Sequence, residues 1–292
     1  VEGARQARRY MRDHGIRGGW TNAAVVDRAL ARGLDVGATP RGRVRLSDGR
    51  RTYWFHNGRT NLNRPMAVRT VRHRDVASAH LRARGFFAPE NAVFAPGDGE
   101  RAWRWSAPLT AMVLRPHDPR AQVPPAAGTT SREQFLDAFA HLAGRHGNVL
   151  VEEQVRGVEL QVAVVANRVV AATRLLPAHV MGDGTSTIAE LIGRKNKERK
   201  DSSTLIHRTL SPHTAEPHLE DQGLALTSIP ASGRMVTLHP SPAWRSGGPA
   251  ADATEELSAE DVERVEGAAR TFPGLRAAHV KILLPSDEEV GP

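Results

Sequence analysis

Val149-Leu150-Val151-Glu152-Glu153-Gln154-Val155-Arg156-Gly157-Val158-Glu159, running on through Gln161-Val162-Ala163-Val164-Val165, is the stretch that decides the fold. It reads as two buried-type β runs joined by a short polar linker. Valine- and leucine-rich runs suit strands buried in a core. Glu152 and Glu159 sit at the two ends of the linker and Gly157 lies between them. Two surface glutamates at strand ends would explain the pattern; so would two carboxylates placed at the mouth of a ligand slot.

Working upstream, Ser131 caps a helix expected over 132–143, and Leu109–Leu114 is a strand candidate. Residues 116–128 between them are proline-rich and read as a loop. Residues 67–85 read as one helix closed by Gly85, followed by a short strand at Ala92-Val93-Phe94. Val44–Phe55 is a hairpin, two alternating runs around Asp48-Gly49. Residues 1–35 read as helical, with Gly33 ending the second half and Leu34-Asp35-Val36 starting a strand. Downstream, a strand at Val169–Ala172 leads to His179–Thr187 and a helix from Ile188 to about Arg199. Residues 200–223 are polar and read as an excursion. Met235–Leu238 is a strand, Gly247-Gly248 a turn, Ser258 a cap for a helix to Thr271, and Ala278–Leu284 a late strand. Strands and helices alternate in this way in α/β proteins.

The order of these pieces resembles the ATP-grasp superfamily, in the branch of cyanophycin-synthetase-type and N-acetylglutaminylglutamine-synthetase-type ligases. The most specific marker is Pro177-Ala178-His179-Val180-Met181-Gly182-Asp183-Gly184-Thr185-Ser186-Thr187-Ile188-Ala189-Glu190-Leu191-Ile192, which matches a run shared by that branch. Gly223-Leu224-Ala225-Leu226 before Ile229-Pro230, and Gly247-Gly248 before Asp252 and Thr254, match further. The resemblance covers about residues 30–285. It implies an α/β ATP-grasp fold with an N-terminal α/β domain over 1–88, a small lobe over 89–155 and a large lobe over 156–292, with a nucleotide cleft between the lobes.

Members of this family phosphorylate a carboxylate with ATP and let an amine displace the phosphate. That chemistry needs a nucleoside slot, cations over the phosphates and magnesium on oxygen ligands. The resemblance assigns the slot to Glu152, where the hinge begins, and to Glu159, which takes ribose hydroxyls; the linker backbone would face an adenine edge. It places Arg115, in Val113-Leu114-Arg115-Pro116, where the family has a phosphate lysine, and Arg174 at a substrate position. A second family lysine falls near Ser78, within Arg74–Ser78. Other positions depart from the pattern. His117-Asp118-Pro119-Arg120-Ala121-Gln122-Val123-Pro124-Pro125 replaces a glycine-rich phosphate loop, and proline has no N–H to offer. Lys281 replaces a metal-binding aspartate. Pro240-Ser241-Pro242-Ala243-Trp244 replaces a segment with arginine and asparagine, and Gln161 replaces an arginine. After Leu284, Glu288 and Glu289 do not match the glutamate-and-asparagine pattern that would complete a metal site.

The expectation is therefore a ligase scaffold with altered phosphate and metal positions, acting as a non-catalytic or accessory protein. It would bind ATP, pair with itself or with an active ligase relative, and have no metal ligands of its own. The alternative is an active divergent ligase that uses ATP and magnesium to join an amino acid or peptide through an amide bond. A second alternative, an arginine-rich nucleic-acid binder, is the weaker one. The net charge of +8 comes from scattered arginines. The absence of cysteine excludes disulfides, thiolate metal sites and thiol catalysis. Residues 1–9 read as a polar helix start rather than a secretion signal, no stretch is long enough to span a membrane, and a cytoplasmic protein is expected. His207, His213 and His218 share a polar segment with no metal-ligand spacing, and Trp103, Trp105 and Trp244 read as packing residues.

Overall fold

A computed structural model describes the chain apart from residues 1, 122, 124, 125, 130, 156, 202–208, 240–246 and 285–292. In chain order the described residues begin with helices α1 (Glu2–Asp13) and α2 (Trp20–Ala31) and strands β1 (Asp35–Ala38), β2 (Val44–Ser47), β3 (Thr52–His56) and β4 (Arg59–Thr60). There follow α3 (Pro65–Arg72), α4 (Arg74–Arg82), β5 (Asn91–Phe94), α5 (Gly99–Ser106), β6 (Met112–Pro116), β7 (Ala126–Thr129), α6 (Arg132–His146) and β8 (Val149–Glu153). The remainder is β9 (Val158–Val165), β10 (Arg168–Leu175), β11 (Ala178–Met181), α7 (Ile188–Asp201), α8 (Pro212–Glu220), β12 (Met235–His239), β13 (Ala250–Asp252), α9 (Ala259–Arg270) and β14 (Ala277–Leu284). By compactness the chain divides into residues 1–62 with 173–253, called unit 1 here, and 63–172 with 254–292, unit 2.

In unit 1, β1 to β4 form an antiparallel sheet in sequence order. Apolar residues of α1 and α2 (Met11, Ala23, Val26) share one core with Val36 and Val44 of that sheet. Asn22 is fully buried and its amide is fully used: Nδ2 donates to Arg17 O at 2.8 Å and Oδ1 accepts from Asn57 N at 2.8 Å. A buried amide without such partners would cost about 1–3 kcal/mol. The hairpin expected around Asp48-Gly49 is present. Ser47 pairs with Thr52, so the turn holds four residues, and Asp48 Oδ1 accepts from the N–H groups of Arg50 and Arg51.

The second part of unit 1 explains the signature run. β11 and β12 form an antiparallel ribbon whose Val180 and Val236 share a core with Ile188 and Ile192 of α7 and Leu219 of α8. Asp183 accepts from the N–H groups of Thr185 and Ser186, and Arg194 Nη1 donates to it at 3.0 Å. Those backbone bonds hold its carboxyl well below the usual carboxylate range. Gly182 has no room for a side chain: a Cβ there would stand 2.2 Å from Ala231 O. Gly184 N donates to Pro230 O and Ile188 N to Ser228 O. The signature and the Leu224–Pro230 segment are thus two faces of one backbone clamp. His179 is part of it, with Nδ1 2.9 Å from Pro177 O.

Unit 2 is built on an antiparallel sheet of order β5-β8-β6-β7. Phe135, Phe139 and Leu142 of α6 pack on Phe94, Met112, Leu114, Val149 and Val151. Ser131 caps α6 by accepting from Gln134 N, as expected, and the helix runs to His146. Trp103 and Trp105, on α5, pack on this core against Phe135 and Phe94. β9 turns into β10 through Ala166 and Asn167, both at positive φ, and β14 runs antiparallel to β9 from Ala277↔Val165 to Leu284↔Val158. Ser258 and Asp261 form a reciprocal capping box at the start of α9.

Four sequence expectations differ. Residues 67–85 do not form one helix: His73 is extended (φ −90°, ψ 108°) and separates α3 from α4. No glycine or proline marks the break; it coincides with a tertiary ion pair made by Arg74, described below. The strand expected at Leu109–Leu114 begins at Met112, because Leu109 closes a turn onto Ser106 O. The proline-rich loop contains β7, and the polar excursion contains α8. Short edge strands and a helix begun by Ser211-Pro212 carry little hydrophobic periodicity, so the sequence pattern does not register them.

Candidate functional site

The linker between β8 and β9 opens onto a cleft of about 460 Å³ that lies wholly within unit 2. Its apolar wall comes from α4, the loop after it, β6 and β14, with Leu81, Phe86, Val113, Val280 and Ile282 among the lining side chains. The volume suits a drug-sized or nucleoside-sized ligand.

Glu152 is the buried charge of this cleft, its side chain 5% exposed. It lies on β8, opposite Asn91 of β5 and Val113 of β6. Arg74 Nη1 donates to both of its oxygens at 2.9 Å, and Arg115 Nη2 donates to Oε1 at 3.3 Å. Burying a carboxylate is costly unless it is paired and hydrogen-bonded, as here. Arg115 is itself mostly buried; burial, then the neighbouring charge of Arg74, lower its guanidinium from the ordinary range. Its Nε is buried with no hydrogen-bond partner among the described residues. Two guanidiniums on one carboxylate leave this group with one positive charge in excess.

Glu159 stands at the other end of the linker, on β9. Lys281 Nζ donates to its Oε1 at 2.7 Å. The two residues are diagonal neighbours across the β9–β14 ladder, where Leu283 faces Glu159 and Lys281 faces Gln161. Both are open to water, with side chains 37% and 52% exposed. Gly157 fixes the path between the two carboxylates. It adopts φ 143°, and a Cβ there would lie 2.6 Å from Leu284 O. The first linker amides are already used: Glu153 N donates to Glu90 O and Gln154 N to Ala111 O.

The structure therefore brings Arg115, Glu152 and Glu159 to one cleft. Arg174 lies in unit 1, where it faces Ala251 across the β10–β13 pairing. Arg74, rather than Ser78, meets the cleft; Ser78 is buried on α4. One turn of helix separates the two. Gln122, Pro124, Pro125, Arg156, Pro240–Trp244, His207, Glu288 and Glu289 lie outside the described residues.

Magnesium needs carboxylate or amide oxygens free to ligate it. The acidic residues lining the cleft are Glu152, Glu153, Glu159 and Asp261, matched by Arg74, Arg115, Arg264 and Lys281. Glu152 is held by two arginines, Glu159 by Lys281, Glu153 by Glu90 N and Asp261 by the cap of α9. The residues present do not fit a magnesium site. They fit a ligand with an apolar face and a polar or anionic end.

No family model matches the chain. The glutathione biosynthesis bifunctional protein of Mannheimia succiniciproducens is 29% identical over 161 residues, 54% of this chain and 21% of that protein. Its Clostridium perfringens counterpart is 32% identical over 133 residues (44% and 17%), and the cyanophycin synthetase of Synechocystis is 32% identical over 139 residues (47% and 16%). The chain spans about a fifth of the length of these relatives. Among solved structures, the bifunctional glutathione synthetase of Pasteurella multocida superimposes with a TM-score of 0.68 at 22% identity, over 92% of this chain and 37% of that one. No helix among the described residues is long and apolar enough to cross a membrane.

Proposed function

On an ATP-grasp fold related in sequence to carboxylate–amine ligases, we propose that the unit 2 cleft binds a nucleotide without carrying out metal-dependent phosphoryl transfer. The chain would then serve as a binding or accessory partner, to a second copy or to an active ligase relative. The observation that carries this reading is the Lys281–Glu159 pair, 2.7 Å long. An ammonium stands where the family resemblance expects an aspartate. It cannot ligate a cation, and it occupies the carboxylate that would take ribose hydroxyls. The apolar wall and the excess positive charge at Arg74 and Arg115 support a base at one end of the cleft and phosphate at the other. The lobe boundaries at 88 and 155, and a substrate role for Arg174, belong to the same reading.

Titration calorimetry with adenosine, ADP and ATP, each with and without magnesium, tests it. Nucleotide should bind with an affinity that magnesium leaves unchanged. Lys281→Asp should make ATP binding magnesium-dependent. Nucleotide binding that requires magnesium in the unmodified chain would overturn the reading.

The single excess charge at Arg74, Arg115 and Glu152 favours a second reading, an active divergent ligase that forms an amide bond. In it Arg115 holds phosphate and Glu152 and Glu159 hold the nucleoside. Phosphate release that depends on an amino acid, and is abolished by Glu159→Ala or Arg115→Ala, would establish this one and remove the first.

A further inference from the structure

Beside the arginine-lined end of unit 2, three side chains from separate positions converge. His73 is the extended residue between α3 and α4, Asp75 lies in the first turn of α4, and His117 follows β6. One ligand-type atom from each lies within 4.8 Å of the other two. His117 Nε2 is 3.3 Å from Asp75 Oδ1. The His73 and His117 rings are 5.6 Å apart and tilted by 50°. All three residues are half-buried.

We propose that His73, Asp75 and His117 form a binding site for a divalent transition-metal ion of the zinc class. The donor set selects the metal. Two imidazoles and a carboxylate suit zinc, cobalt, nickel or ferrous iron, whereas magnesium prefers an all-oxygen shell. Metal–ligand bonds of about 2.0–2.2 Å place neighbouring ligand atoms roughly 3.0–3.5 Å apart. The His117–Asp75 pair already has that spacing, and side-chain torsion closes the rest. A His117–Asp75 hydrogen bond alone would need no second imidazole beside it. The break at His73 puts that residue and Asp75 next to the strand end carrying His117.

Three protein ligands leave at least one coordination position for water or an exogenous group. His117 also lines a smaller cleft of about 220 Å³ with Arg72, Arg74 and Arg115. Guanidiniums bind oxyanions by paired hydrogen bonds. The open position would therefore take a small oxyanion, of the phosphate or carboxylate class, shared between the metal and the arginines. The three metal ligands are independent of the nucleotide reading above, because they include neither Glu159 nor Lys281; only the oxyanion would share Arg74 and Arg115 with it.

The test uses the full chain after dialysis against a chelator. Zinc titration by calorimetry should show one site that excess magnesium does not displace. Cobalt should give visible absorption bands of a nitrogen- and oxygen-ligated ion, and zinc should bleach them. His117→Ala and Asp75→Asn should each weaken zinc by about tenfold or more. Asp75→Asn retains a hydrogen-bonding group for His117, so it separates metal binding from folding. His213→Ala, an exposed histidine in unit 1, should leave the affinity unchanged. Inorganic phosphate should tighten zinc binding in the unmodified chain and not in Arg72→Ala. Absence of micromolar zinc binding, or equal affinity in the His117 and Asp75 variants, overturns the site. A phosphate effect that survives Arg72→Ala overturns the oxyanion's place.

Discussion

Glu152 and Glu159 lie seven positions apart on one strand-linker-strand run, and both are ion-paired, yet they answer to different physics. Glu152 is buried under two guanidiniums; Glu159 is open to water beside one ammonium. A buried carboxylate is held by the requirement that its charge be matched. An exposed pair contributes little to stability and is set by whatever the site needs. The difference teaches which half of the cleft is structural. The Glu152 end is built into the packing of unit 2, and on the proposed reading the Glu159 end is where ligand chemistry is decided.

The largest expected effect breaks the buried end. Glu152→Gln should destabilise the chain by about 3 kcal/mol, since two arginines would lose their counter-charge. Arg74 is 44% exposed, which keeps the loss at the lower end of that range. Denaturant unfolding measures it, and a loss below about 1 kcal/mol would equate the two carboxylates. Next comes the joint between them. Gly157→Ala should cost roughly 2 kcal/mol, from the positive φ and the approach to Leu284 O, with a matching fall in the unfolding midpoint. Glu159→Gln and Lys281→Met should each change stability by less than about 0.5 kcal/mol, while shifting nucleotide affinity measured by calorimetry. A large stability change in either would move the Glu159 end into the structural half.

Asp183 in unit 1 offers the smallest effect and a third point of comparison. It is half-buried, and its carboxyl is held low chiefly by backbone donors. A depressed native pKa contributes stability that is complete above the unfolded value of about 3.9 and is lost as pH falls below it. The stability gap between the unmodified chain and Asp183→Asn should therefore shrink as pH drops below about 4. Urea midpoints across that range check the sign. A gap that widens in acid would contradict it.

The strand runs, the caps at Ser131 and Ser258 and the signature at 177–192 were legible because each is written in local residues. Glycine at a tight approach, serine before a helix and valine-rich strands act within a few positions. Arg74 was not legible. It stands one helical turn from Ser78, and the chain carries no glycine or proline to announce the break at His73. The convergence of His73 and Asp75 with His117, 42 positions away, leaves no trace in spacing. α5 and β7 escaped for a related reason, since short amphipathic pieces repeat too few times to show a period.

By itself the sequence determined an α/β chain that resembles the ATP-grasp ligases, with carboxylates at both ends of one linker and a lysine where that resemblance expects an aspartate. Only the tertiary structure decided that this lysine closes on Glu159 and that Arg74 joins Arg115 over Glu152. Local propensity and hydrophobic pattern act along the chain, whereas charge pairing depends on distance in space, and that distance is fixed only once the strands are in register.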